Sequence, residues 1–184
     1  RLAETGSSTL AAKFTNIDID KALAAASADA PHLSGSANGT VSLAWPGTRV
    51  QQSTGKVNAV VAGTLEGESG AIPVDGTIAM SATPGKFVID TAEFQSGESF
   101  FTATGTIGWD RRSDIRLTAN ASQGSGLLAL VSAANPKLGA TLRPYYIRIG
   151  GAFSFDGRVT GGILDPSVEG TVSVGDVRIG DLSA

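Results

Sequence analysis

Residues 124–129 read Gly-Ser-Gly-Leu-Leu-Ala, a G-x-G-x-x-A spacing that follows a strand-like segment and opens a helix-like one. Glycines at that spacing let a turn approach a pyrophosphate at a helix N-terminus. A dinucleotide site also needs an acidic residue about 20 positions on, to hold the ribose. None occurs between Asp114 and Asp156, and Pro136 and Pro144 interrupt the parallel strand that should follow. The motif is read as a helix start. Pro84-Gly85-Lys86-Phe87 ends like a phosphate loop, but Met80 stands where the first glycine belongs and Phe87 replaces the magnesium-binding hydroxyl. It is read as a turn into a strand.

His32 is the only histidine, so a Ser-His-Asp triad would have to use it, and no Gly-x-Ser-x-Gly elbow is present. Beside Pro31 it reads as a solvated loop residue. The i, i+2 carboxylate pairs Asp18/Asp20 and Glu66/Glu68 are the candidates for a cation. The first opens a helix-like stretch, the second runs into Gly-rich turn sequence, and neither begins an Asx-rich calcium loop. Paired-carboxylate glycoside chemistry lacks its platform of clustered aromatics. Asn38-Gly39-Thr40 and Asn120-Ala121-Ser122 are sequons, relevant only in a eukaryotic secretory setting. With no cysteine, thiol chemistry is excluded. No catalytic, metal or cofactor site is predicted, and the chain is not read as an enzyme.

The elements that could position side chains read as strands. Glycine is abundant, with 24 residues, and only 17% of residues are charged. The net charge is −3, and the densest basic spot, Arg111-Arg112, is flanked by Asp110 and Asp114. A nucleic-acid surface needs a basic stripe, so that partner class is excluded. No apolar run is long enough for a membrane-spanning helix. The chain, residues 1–184, reads as a single β-rich fragment of a longer repeat protein.

Apolar residues alternate with polar ones in Val41–Trp45, Val57–Val61, Val74–Met80, Ile115–Ala121 and Phe153–Val159. This is the pattern of an antiparallel sheet with one wet face. Turn signals separate the strands at Trp45-Pro46-Gly47, Thr83-Pro84-Gly85, Ser96-Gly97-Glu98, Thr160-Gly161-Gly162 and Gly175-Asp176. Two short helices are predicted, Asp18–Ala28 with Asp20 as N-cap, and Gly124–Ala134. Each precedes Gly-punctuated strands, which suggests weak repeat units over 17–121 and 124–184.

Gly63, Gly76, Gly105 and Gly170 each lie two residues from apolar neighbours on either side. Period two puts them inside continuing strands on the apolar face, as notches where the sheet can crease. The predicted aliphatic face comprises Val41, Leu43, Val57, Val61, Ile78, Met80, Phe87, Ile89, Phe101, Ile107, Ile115, Leu117, Phe153, Phe155, Val172 and Val174.

Gly151–Leu182, "GAFSFDGRVTGGILDPSVEGTVSVGDVRIGDL", resembles the repeat of the TamB/AsmA-like family, named for the translocation and assembly module. "IDIDKALAAA" followed by "LSGSANGTVSLAWPG" resembles that family's helix-then-strand unit. The resemblance covers most of the chain. It implies an antiparallel meander curled into an elongated β-taco, a trough with an aliphatic concave face. It implies a periplasmic segment of a protein anchored in the inner membrane of a diderm bacterium and reaching toward the outer membrane. The implied cargo is phospholipid acyl chains, and the implied partner of the parent protein is an outer-membrane barrel of the TamA/BamA type. An alternative is a scaffold that assembles outer-membrane proteins, autotransporters included, by strand augmentation. A second is a closed-core structural or adhesin-type β domain.

Overall fold

A computed structural model describes residues 6–26, 32–64, 71–123, 147–162 and 165–179. Their elements are β1 (Ser7–Asp18), α1 (Ile19–Ala26), β2 (Leu33–Ser34), β3 (Ser36–Pro46), β4 (Thr54–Ala62), β5 (Ile72–Pro73) and β6 (Asp75–Thr83). They continue with β7 (Lys86–Ser96), β8 (Ser99–Gly108), β9 (Arg112–Ala121), β10 (Ile147–Gly162) and β11 (Asp165–Ile179). One antiparallel sheet of nine strands runs β1-β3-β4-β6-β7-β8-β9-β10-β11, so the chain order is a meander. The sheet is not closed into a barrel. β2 and β5 form a separate parallel pair.

The two ends of the strands differ. At one end, α1 and the β2/β5 pair sit against β1, β3, β4 and β6. The Ile19 amide donates to the Gly35 carbonyl at 3.1 Å and the Val74 amide to the Ser34 carbonyl at 3.2 Å. Ile19, Val61 and Val74 are buried there. Asp18, not Asp20, caps α1: its Oδ1 accepts the Lys21 amide at 3.2 Å, three residues on. The helix therefore starts where β1 ends, with no loop between.

At the other end the turns are tied together. A 3-10 turn, Val50–Gln52, follows β3. The Gly85 amide in the β6–β7 turn donates to the Gln51 carbonyl at 2.8 Å, and the Trp109 amide in the β8–β9 turn donates to the Gly85 carbonyl at 3.2 Å. The Trp109 ring lies tilted on Phe87, with centroids 5.3 Å apart.

Three further expectations are corrected. Gly63 does not lie inside a continuing strand: β4 ends at Ala62, and the Gly63 amide leaves the ladder for Asp75 Oδ1 at 2.9 Å. Gly175-Asp176 is no turn, because β11 runs through it to Ile179, and Asp176 pairs with Gly150 beside a bulge. Gly161-Gly162 are the last residues of β10, each still paired across to β9 and β11. The Gly124–Ala134 helix lies outside the described residues.

Candidate functional site

Directly opposed residues of an antiparallel ladder share a face, so the register assigns every strand position. One row across the sheet is Ala12, Val41, Val57, Met80, Ile89, Gly105, Ile115, Val159 and Val168. The next is Phe14, Gly39, Ala59, Ile78, Ala92, Ala103, Leu117, Gly157 and Gly170. A third carries Val61, Gly76, Phe94, Phe101, Ala119, Phe155 and Val172. On either side lie Leu43, Phe87 and Ile107, and Ala121, Phe153 and Val174. All the predicted aliphatic positions thus fall on one face, and none of these rows holds a charged residue. By parity along β11, Asp176 is the first charged position beyond them, past the β10 bulge.

Sequence parity missed half of β7. A bulge at Asp90 puts Ile89 and Ala92 on the same face, so Ala92 and Phe94 join it and Thr91 and Glu93 leave. Strict alternation would have turned Glu93 inward. The Ser81 hydroxyl donates to the Asp90 carboxylate at 2.6 Å and holds the extra residue on the polar side. The signal was present in the sequence: Ile89 and Ala92 fit one face only if a residue is skipped.

Of the glycines expected to leave notches, Gly76 and Gly170 are on this face, but their space is occupied. The Phe94 ring lies where a Gly76 side chain would start, and the Phe155 ring lies 2.7 Å from where a Cβ on Gly170 would stand. Phe155 covers Gly157 as well, and Phe14 covers Gly39. A ring laid on glycine needs the absence of a Cβ beneath it. Gly105 shares the face but differs: it has φ +146°, and a Cβ there would strike the Asp114 carbonyl and the Ile115 Cα of β9.

Exposure on this face is graded. In the central strands Ile89, Ala92 and Ala119 are buried and Ile78, Met80, Ile115 and Leu117 are half-buried. Toward the edges it rises, to 44% at Leu10 on β1 and to 58% and 56% at Val168 and Val172 on β11. Among the described residues the only elements outside the nine-stranded sheet are α1, the β2/β5 pair and the short turn after β3, so no separate second layer is present to cover this face.

The opposite face holds Lys13, Lys56, Asp75, Glu93, Asp114, Arg116, Asp156, Arg158 and Glu169. Arg116 of β9 stands directly opposite Arg158 of β10. Each reaches diagonally to the other strand's carboxylate: Arg116 to Asp156 at 2.8 and 3.3 Å, and Arg158 to Asp114 at 2.5 Å through both nitrogens. The Arg158 hydrogen bond, aided by its charge, holds the Asp114 carboxyl below the usual carboxylate range, and both guanidinium pKa values are raised by their partners. Phe100 is an apolar exception on this face, 51% exposed.

The sequence-level candidates for chemistry are not assembled into a site. His32 Nδ1 lies 3.2 Å from Asp20 Oδ1, between α1 and the start of β2. Asp18 is engaged by Lys21 at 2.9 Å. Pro84-Gly85 is the β6–β7 turn. Glu66/Glu68 and Gly124–Ala129 lie outside the described residues. Among the described residues no group of acidic or histidine side chains could hold a metal ion, and no helix is long and apolar enough to cross a membrane. The chain matches no protein-family model, no curated protein and no solved structure.

Proposed function

We propose that the sheet curls about its apolar face into a trough that conducts phospholipid acyl chains, as a periplasmic segment of a longer protein linking inner to outer membrane in a diderm bacterium. The observation that carries this reading is the apolar face itself, its rows free of charge across nine strands and without a covering layer among the described residues. The burial of Ile89, Ala92 and Ala119 supports the curl, since the centre of a flat, uncovered sheet would stay open to solvent, whereas the exposure of Leu10, Val168 and Val172 is that of edge strands with one neighbour each. An acyl chain in water costs about 0.8 kcal/mol per CH₂, and a continuous apolar surface holds that cost down along the route. No charge within these rows fixes a headgroup, which suits passage better than storage. Photo-crosslinking side chains placed in cells at Leu117, Arg116 and Phe100 test the reading. Lipid adducts are expected at Leu117 only. Equal labelling at Arg116 refutes a sided trough, and equal labelling at Phe100 shows that exposed apolar character alone attracts lipid.

The second reading, a scaffold for outer-membrane protein assembly through partners such as a TamA/BamA-type barrel, draws on the position of β1 and β11 as the outer strands of the sheet among the described residues. Crosslinks from β1 or β11 to protein rather than lipid would favour it.

A further inference from the structure

The β9–β10 register rests on a balance. These neighbours are not joined by a tight turn, as β6/β7, β7/β8 and β8/β9 are, so no turn geometry fixes their pairing. The observed register sets Arg116 directly against Arg158, and both ion pairs are diagonal. Like charges directly opposed are unfavourable. If β10 slides by two residues, Arg158 comes directly opposite Asp114 and Asp156 directly opposite Arg116. Every side chain keeps its face, because the shift is even. The ion pairs therefore do not select the observed register; they fit the other at least as well.

The apolar face decides between them. In the observed register Leu117 faces Gly157, Ala119 faces Phe155 and Ala121 faces Phe153, and the one pair of two large residues is Ile115 with Val159, smaller together than Leu117 with Phe155. In the shifted one Leu117 faces Phe155, which crowds two large side chains, while Ile115 takes Gly157 and Ala119 takes Phe153. The seat of Phe155 is not at stake. Its ring rests on Gly157 of its own strand and on Gly170 of β11, both within the β10–β11 hairpin. The hairpin carries its own packing and can move as a unit.

We infer that the β10–β11 hairpin has two registers against β9, two residues or roughly 7 Å apart, with the Asp114/Arg116/Asp156/Arg158 quartet satisfied in both and the pairing of Leu117 with Gly157 rather than Phe155 selecting the one observed. The quartet acts as a sliding coupling, and Leu117 is its detent. The shift would carry the Phe153 and Phe155 rings along the apolar face and change its contour next to β9.

The chain has no cysteine, so engineered pairs report the register cleanly. Asn120→Cys with Ser154→Cys are opposed in the observed register, and Thr118→Cys with Ser154→Cys only in the shifted one. Either opposed pair lies within disulfide reach. Ser122→Cys with Ser154→Cys, two positions out of register in the observed pairing as 118/154 is, but four positions out in the shifted one, gives the background. The rate of disulfide formation is followed in otherwise native protein and with Leu117→Ala. In native protein the 120/154 pair should close fastest and the 118/154 pair more slowly, but above background. Leu117→Ala should raise the 118/154 rate relative to the 120/154 rate by about tenfold, the factor that roughly 1.4 kcal/mol of relieved crowding corresponds to. A 118/154 rate at background in native protein overturns the second register. That measurement stands even if Leu117→Ala does not fold. A 118/154 rate above background that Leu117→Ala leaves unchanged overturns the role of Leu117.

Discussion

A single added methyl group, as in Gly105→Ala, is expected to cost this sheet two penalties at once. Gly105 has φ +146°, a region that L side chains rarely adopt, and its new Cβ would strike the Asp114 carbonyl and come within 2.7 Å of the Ile115 Cα. The obstacle is backbone, which cannot swing aside as a side chain can. Two other glycines separate the penalties. Gly85, in the β6–β7 turn, has φ +88° but open space around it, with nothing within 4 Å of where a Cβ would stand. Gly85→Ala therefore carries the conformational cost alone, about 1–2 kcal/mol. Gly76 has no such φ, yet a Cβ there meets the Phe94 ring and the Glu93 carbonyl at 2.5 Å, so Gly76→Ala carries an overpacking cost of about 1–3 kcal/mol. Gly105→Ala should lose about 2–5 kcal/mol, the two combined. Urea denaturation of the three variants, followed by tryptophan fluorescence, measures the differences, provided the denaturant slopes agree. If Gly105→Ala costs no more than Gly85→Ala, the close approach of β8 to β9 at this position is wrong. If Gly76→Ala is neutral, the Phe94 ring is not seated on that glycine.

Asp18→Ala should lower the urea midpoint through the lost cap of α1, while Asp18→Asn, which caps as well, should stay near the parent in the same unfolding assay. Asp114 titrates below its unfolded value because of Arg158. Its contribution is therefore complete above the unfolded carboxylate pKa and fades as pH falls through the lower folded value. The gap in urea midpoint between parent and Asp114→Asn should accordingly narrow from pH 5 toward pH 2, and a gap that is constant or widens over that range contradicts the pairing. Trp109→Ala should cost about 0.5–1.5 kcal/mol beyond its buried area, from the lost Phe87 ring contact; a double-mutant cycle with Phe87→Leu measures the coupling.

The alternation of small aliphatic and polar residues made the sheet and its sidedness legible, because period two is a local property. Val41/Leu43 and Ile115/Leu117 can be assigned to a face without knowing their partners. What local reading cannot supply is any place where the chain departs from period two for a non-local reason. The Asp90 bulge is visible only as a misfit between Ile89 and Ala92, and its anchor, Ser81, lies on the neighbouring strand. The glycines are a second case. Their face is readable at Gly76 and Gly170, but the rings that fill the space come from Phe94, on the next strand, and Phe155, across a hairpin. Gly63 escapes local reading because the Asp75 side chain that draws its amide off the ladder lies on another strand. Asp18 and Asp20 are both good caps by type, and only the junction with β1 selects the first. The Arg116/Arg158 opposition is beyond reach, since it depends on a register no turn announces.

The Asp90 bulge gives this sheet something like a reading frame. Odd positions of β7 face the oily side before it and even positions after it, and one supernumerary residue makes the switch. Deleting Asp90 would straighten the strand yet leave Ile89, Ala92 and Phe94 on the side they now occupy. A single deletion in β8, which carries no such spare, would send every residue on one side of the cut to the wrong face. Away from the closely packed glycines, substitutions that keep a position's polar or apolar character are cheap along strands of this kind, whereas changes of length are tolerated only in twos, unless a spare residue absorbs them. Length changes in its relatives should therefore come in even steps within strands. Single steps should fall only where a spare already sits, as at Asp90, or where a strand has already ended, as at Gly63.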